Sequence, residues 1–140
     1  MRKGWIKLAG LLSCFWSLSA FGAGSLGEQL QHALNANIPD KALTCFAQEM
    51  EVSVMGKGSV CSNEQAVEIL RQFMESNPVV SCQILHKGKK MNAGFYIMNI
   101  VVSSQKRYRI YALERNENNE NLIRQFRIDE VVEWSIGWFN

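Results

Sequence analysis

The apolar positions change period several times along the chain, and each change marks an element. Leu26, Leu30, Ala33 and Leu34 recur at helical spacing with Glu28 in the first turn, which predicts a helix over 26–34 that Asn35-Ala36-Asn37 ends. Pro39 then interrupts the pattern, and Asp40 can cap a short second helix running to Phe46 or Ala47. Met50, Val52 and Val54 alternate with Glu51 and Ser53, the period of a half-buried strand, and Gly56-Lys57-Gly58 predicts a turn after it. Ser62-Asn63-Glu64-Gln65 reads as a capping box, followed by the single apolar stripe Ala66, Ile69, Leu70, Phe73 and Met74. Asn77-Pro78 stops that helix, because the residue before proline is pushed out of the helical region.

From Val79 onward the period becomes two. Strands are expected over 79–87, 94–103, 106–114 and 121–128, with turns at Gly88 to Gly94, Ser104-Gln105 and Asn116 to Asn121. Helix, helix, strand, helix and four strands predict an α+β fold with the helices packed on one face of a curved antiparallel sheet. Strand parity extends this reading. If Ile110 faces the core, so do Tyr108, Ala112, Phe126 and Ile128, while Arg107, Arg109, Tyr111, Gln125, Arg127 and Asp129 face outward. Arg107, Arg109, Tyr111 and Arg127 are therefore the candidate binding patch.

The first residues read differently from the rest. Arg2, Lys3 and Lys7 precede an uncharged run from Leu8 to Phe21 and then small residues, the layout of a secretory signal. Ala20-Phe21-Gly22 favours cleavage after Gly22, with Ala20 and Gly24 as alternative sites, and the expected destination is the periplasm or the exterior. A second reading takes Leu11-Leu12-Ser13-Cys14 as a lipobox that would anchor the chain through a lipidated Cys14. An uncleaved anchor ranks third, because the run is shorter than a spanning helix. Export changes the charge picture: the 140-residue chain carries 15 basic and 13 acidic residues, and losing three basic ones with residues 1–22 turns a net +2 into −1. The mature chain then has no bulk positive charge to attract nucleic acid.

Chemistry-bearing residues do not converge. Cys45, Cys61 and Cys82 remain after cleavage, an odd number with no C-x-x-C, which gives no support to a disulfide scaffold, redox catalysis or a zinc ribbon. Cys45 and Cys82 read as small buried hydrophobes. His32 adjoins an apolar stripe and His86 adjoins Lys87, neither with an acid beside it in sequence, and Glu49, Glu51, Glu64, Glu68 and Glu75 fall at strand edges or on a solvated helix face. Gly56-Lys57-Gly58-Ser59 lacks the spacing of a phosphate loop and reads as a hairpin connection. Lys87, Lys89, Lys90, Lys106, Arg107 and Arg109 are cations on what the pattern makes neighbouring strands. In the tail, Val132, Trp134, Ile136 and Trp138 alternate with Glu133, Ser135 and Gly137, so a strand there would put Trp134 and Trp138 on one side, packed on this domain, across a dimer or on another envelope protein.

Val52-Ser53-Val54-Met55-Gly56-Lys57-Gly58, the capped helix to Asn77-Pro78, Ile84-Leu85-His86-Lys87-Gly88, Tyr108-Arg109-Ile110-Tyr111 and Ile123-Arg124-Gln125-Phe126-Arg127-Ile128 together resemble a small exported bacterial family. It is the domain of unknown function numbered 4783, in the nuclear transport factor 2-like (NTF2-like, or cystatin-like) superfamily, and the resemblance spans roughly residues 26–129. The resemblance implies an NTF2-like cone whose interior is an enzyme pocket, a ligand cavity or a filled core, and a homodimer through the outer sheet face. It also implies that any enzymatic member would hold an Asp, His or Tyr constellation in the cavity. The division expected is a signal over 1–22, a domain over 23–129 and an aromatic tail over 130–140. The function expected is non-catalytic binding of a small ligand or an envelope protein, without metal, cofactor or nucleic acid, and with membrane contact only through a lipidated Cys14. The alternative is a small hydro-lyase or isomerase with a polar pocket.

Overall fold

A computed structural model of the chain describes residues 24–132. Residues 1–22, expected to be a signal, lie outside the described residues, as do Trp134 and Trp138; Cys14 falls within the former. Helix α1 spans Leu26–Asn35 and starts at a capping box in which Ser25 Oγ accepts from the Glu28 amide while Glu28 accepts from the Ser25 amide. Those bonds satisfy two of the orphan groups at a helix start. A 3₁₀ helix follows over Pro39–Cys45 and does not reach Phe46 or Ala47. Proline at its first position suits a helix start, and strand β1, Phe46–Val54, begins at once because Phe46 and Ala47 are already buried in the core.

Met55 and Gly56, both at positive φ, turn β1 into a further strand that the alternation did not reveal, β2 over Lys57–Ser62. Paired positive φ values are the hairpin geometry whose twist matches the strands. Helix α2, Asn63–Ser76, opens at the Ser62–Gln65 capping box read from the sequence, with both bonds made. It crosses to the opposite edge, and the chain returns as a meander: β3 Val79–Lys90, β4 Ala93–Val102, β5 Arg107–Glu117 and β6 Glu120–Glu130. The strand order is β2-β1-β6-β5-β4-β3.

That order corrects the antiparallel expectation. The meander begins at the far edge, so its last strand, β6, meets β1, and the two run parallel. The sheet is mixed. Gly88 also lies inside β3 opposite Phe95, and the turn sits at Met91 and Asn92. Gly88 belongs there because a Cβ would fall 2.6 Å from the Phe95 ring. Asn118 and Asn119, both left-handed, make the last hairpin turn within the expected Asn116–Asn121 span.

The core lies between the helices and the inner sheet face. Leu30, Leu34, Leu70 and Phe73 from the helices meet Met50, Met98, Ile100, Ile110, Ile123, Phe126 and Ile128 from the strands, all buried. Phe46 stacks on Phe126 at 5.5 Å, and Phe73 meets Tyr108 edge-on at 4.9 Å. Cys45 and Cys82 are buried, free thiols, with burial pushing them up to about 11 and about 12. Helix α1 covers the outer edge of β3: Asn35 accepts from the Cys82 amide at 2.7 Å and donates to its carbonyl at 3.0 Å, and Gln31 donates to that carbonyl too. An edge strand so occupied is a poorer template for a neighbouring chain.

Candidate binding face of the sheet

With both helices on one side, strand alternation sends every second residue to the uncovered side. Tyr108, Ile110 and Ala112 are buried while Arg107, Arg109 and Tyr111 between them are not. Register then builds the outward face from its neighbours. Arg127 lies opposite Tyr111, Asp129 opposite Arg109, Ile97 opposite Tyr111 and Asn99 opposite Arg109. The Arg127 guanidinium stacks over the Tyr111 ring, 4.5 Å from its centre, and its Nε donates to Asp129 at 2.8 Å. A planar cation held on an aromatic face and squared by a carboxylate is positioned before anything binds.

The rest of this face is graded. Its middle is apolar, with Phe95, Ile97 and Leu113 partly exposed. One end carries Arg107, Arg109 and Arg127. At the other end an open cleft of about 290 Å³ is lined by Glu49, Glu51, Arg115, Glu117 and Arg124, among others. There Arg124 donates to Glu117 at 2.9 Å. Arg109 Nε and Arg124 Nε are buried without a hydrogen-bond partner, which leaves two donors of this face unsatisfied.

Other cations expected beside the patch are elsewhere. β4 separates β3 from β5, and Arg107 lies at the Ser81 end of the sheet while Lys89 and Lys90 lie at the turn end, so the six do not form one patch. Lys87 instead pairs with Glu28 at 3.9 Å, and Lys89 faces Glu114 at 3.7 Å. The histidines are also apart. His32 is exposed and contacts Lys41 Nζ at 3.4 Å, and His86 is exposed opposite Ile97. Glu49, Glu51, Glu64, Glu68 and Glu75 are exposed.

One polar pair was missed. Glu114 is only 4 % exposed on the inner sheet face, and the Tyr96 hydroxyl donates to it at 2.6 Å. Burial first, and the adjoining Glu114 second, raise the Tyr96 phenol above its ordinary value. The parity that sends Tyr108, Ile110 and Ala112 inward, carried two residues further, reaches Glu114. Among the described residues no group of three or more His, Cys, Asp or Glu side chains could hold a metal ion.

The model of a domain of unknown function, DUF4783, matches residues 28–129. No curated protein matches the sequence significantly. Among solved structures, a DUF4783 family protein from Bacteroides uniformis is similar with a TM-score of 0.72 at 20 % identity, over 78 % of this chain and all (100 %) of that one. Another from Bacteroides ovatus gives 0.70 at 19 % identity, over 75 % and 94 % of the two chains. A domain with a cystatin-like fold from Nostoc punctiforme gives 0.63 at 8 % identity, over 81 % and 78 %. Similarity at these identities speaks to the fold: α+β, a curved mixed sheet with helices.

Proposed function

Because the chain belongs to the DUF4783 family, which is defined by a shared domain and not by an activity, we propose that it is an exported, non-catalytic binding domain that engages a protein partner through the open sheet face. The observation that carries this is the uncovered middle of the sheet, where Phe95, Ile97, Leu113 and Tyr111 are partly exposed beside the positioned Arg127. Aromatic and arginine side chains flanking partly exposed aliphatic ones are the groups that anchor protein interfaces. Arg107, Arg109 and Arg127 at one end select a partner that edges its apolar side chains with carboxylates. Export rests on the charge and hydrophobic layout of residues 1–22.

The second reading, a small hydro-lyase or isomerase, draws on the Tyr96–Glu114 pair. Its geometry serves that reading poorly. Gly27 of α1 lies against the Tyr96 ring, and the hydroxyl proton is committed to Glu114. A tyrosine with its phenol raised and its proton already placed is a weak general base at neutral pH.

The test is affinity capture from envelope extract with the wild-type domain and with a Tyr111→Ala, Arg127→Ala variant of unchanged circular dichroism. A protein retained by the first and lost by the second is expected. Equal retention by both, or retention by neither, would remove the sheet face from consideration.

A further inference from the structure

The buried carboxylate of Glu114 opens onto a small notch that belongs to neither the sheet face nor the core. It lies at the turn end of the sheet, lined by Lys89, Met91, Asn92, Glu114, Asn116 and Asn121, with about 180 Å³ of open space. Two features shape it. Gly94 stands opposite Glu114, and a Cβ there would sit 2.9 Å from Glu114 Cγ and 3.3 Å from Oε2, so the glycine makes the room that the carboxyl occupies. The Asn116 amide donates to the Asn92 carbonyl at 2.9 Å and ties the two hairpin ends together, holding the walls in place.

The hydrogen-bonding inventory of the notch defines what would fill it. Glu114 Oε1 accepts a hydrogen bond from the Tyr96 hydroxyl at 2.6 Å, while Oε2 faces Lys89 Nζ at 3.7 Å, too far for a direct hydrogen bond. An oxygen set to one side of that pair, about 2.8 Å from each atom, can accept from the ammonium and donate to the carboxylate. Asn116 Nδ2 donates to Asn121 Oδ1, so Asn116 Oδ1 is left as an acceptor and Asn121 Nδ2 as a donor. One carboxylate and one ammonium leave the notch near neutral, which favours neither an anion nor a cation. Groups that both donate and accept, without charge and in close succession, are vicinal hydroxyls. The notch is smaller than the roughly 300–1,000 Å³ of pockets that take drug-sized ligands, which limits it to a small ligand such as a single ring.

From this we infer that the Glu114 notch is a binding subsite for a single sugar ring or a comparable small polyol. Burying a carboxylate is costly when a neutral side chain could pack there instead, and a ligand that bridges Glu114 to Lys89 gives that carboxylate a use. The site is independent of the sheet-face proposal and lies on other residues.

The experiment is amide-resolved NMR titration of the mature domain with glucose, N-acetylglucosamine and myo-inositol, with glycine betaine and acetate as charged comparators. At least one polyol is expected to shift the amides of Asn92, Gly94, Glu114, Asn116 and Asn121 saturably at millimolar concentration. Lys89→Ala, at an exposed position, keeps the fold and is expected to weaken that binding about tenfold, the scale of one charge-assisted hydrogen bond. Glu114→Gln, if it folds, is expected to weaken it as well. No polyol shifts at these amides, shifts from the charged comparators alone, or binding indifferent to Lys89→Ala would each overturn the inference.

Discussion

Gly27→Ala tests how helix α1 is seated. A Cβ at Gly27 would stand 2.2, 2.4 and 2.6 Å from three Tyr96 ring atoms, where ordinary contact begins near 3.4 Å. The helix start or the ring must therefore move by more than about 1 Å. The ring has little freedom to move, since Tyr96 is 4 % exposed and its hydroxyl is bonded to buried Glu114. Overpacking of this kind costs about 1–3 kcal/mol. Alanine's better helix propensity returns at most about 1 kcal/mol, and less in the first turn. The balance is a loss, and for a domain near this size each kcal/mol lowers Tm by about 4–8 °C. Thermal denaturation followed by circular dichroism reads it directly. Repeating the substitution in a Tyr96→Ala background isolates the cause, because without the ring Gly27→Ala should be neutral or slightly stabilising. If Gly27→Ala alone left Tm unchanged or raised it, the close seating of α1 on Tyr96 would be wrong.

Four smaller outcomes follow from the same structure. Ser25→Ala and Ser62→Ala each remove a capping-box acceptor and should each cost about 1 kcal/mol in urea denaturation, with Ser25→Thr and Ser62→Thr recovering most of it. A double-mutant cycle between Tyr111 and Arg127 should give a coupling of about 0.5–1 kcal/mol, and a coupling indistinguishable from zero would mean the stacked guanidinium is not held on the ring. Among the described cysteines, Cys61 should be alkylated by iodoacetamide in the native state while Cys45 and Cys82 react only on unfolding. Because both buried thiols sit above the unfolded value of 9.0, at about 11 and about 12, the stability they contribute is complete below pH 9 and declines as pH rises through those values; a denaturation midpoint that rose between pH 9 and 11 would contradict it.

Elements whose stop and start signals are local were legible in the chain. The Ser62–Gln65 box and Asn77-Pro78 bracket α2, and strict alternation over Tyr108 to Ala112 placed Arg109 and Tyr111 outward. Features that depend on distant partners were not. Nothing local says that β6 runs parallel to β1, because that follows from where α2 delivers the chain. β2 carries Lys57, Gly58 and Ser59 with no apolar alternation, and it is a strand only because β1 lies beside it. Lysines near one another by strand number were separated by the intervening β4. Glu114 was within reach of the parity argument, but it stood at the expected end of its strand, and the strand continues to Glu117.

Site-specific photo-crosslinking in the cell envelope measures most directly whether this domain works through its open sheet face. A photoreactive side chain at Tyr111 or Ile97 should form a covalent adduct with a second polypeptide, and the same group at exposed Gln72 on α2 should not. Adducts from Gln72 alone, or none from the sheet face in cells making the protein at its natural level, would contradict the account.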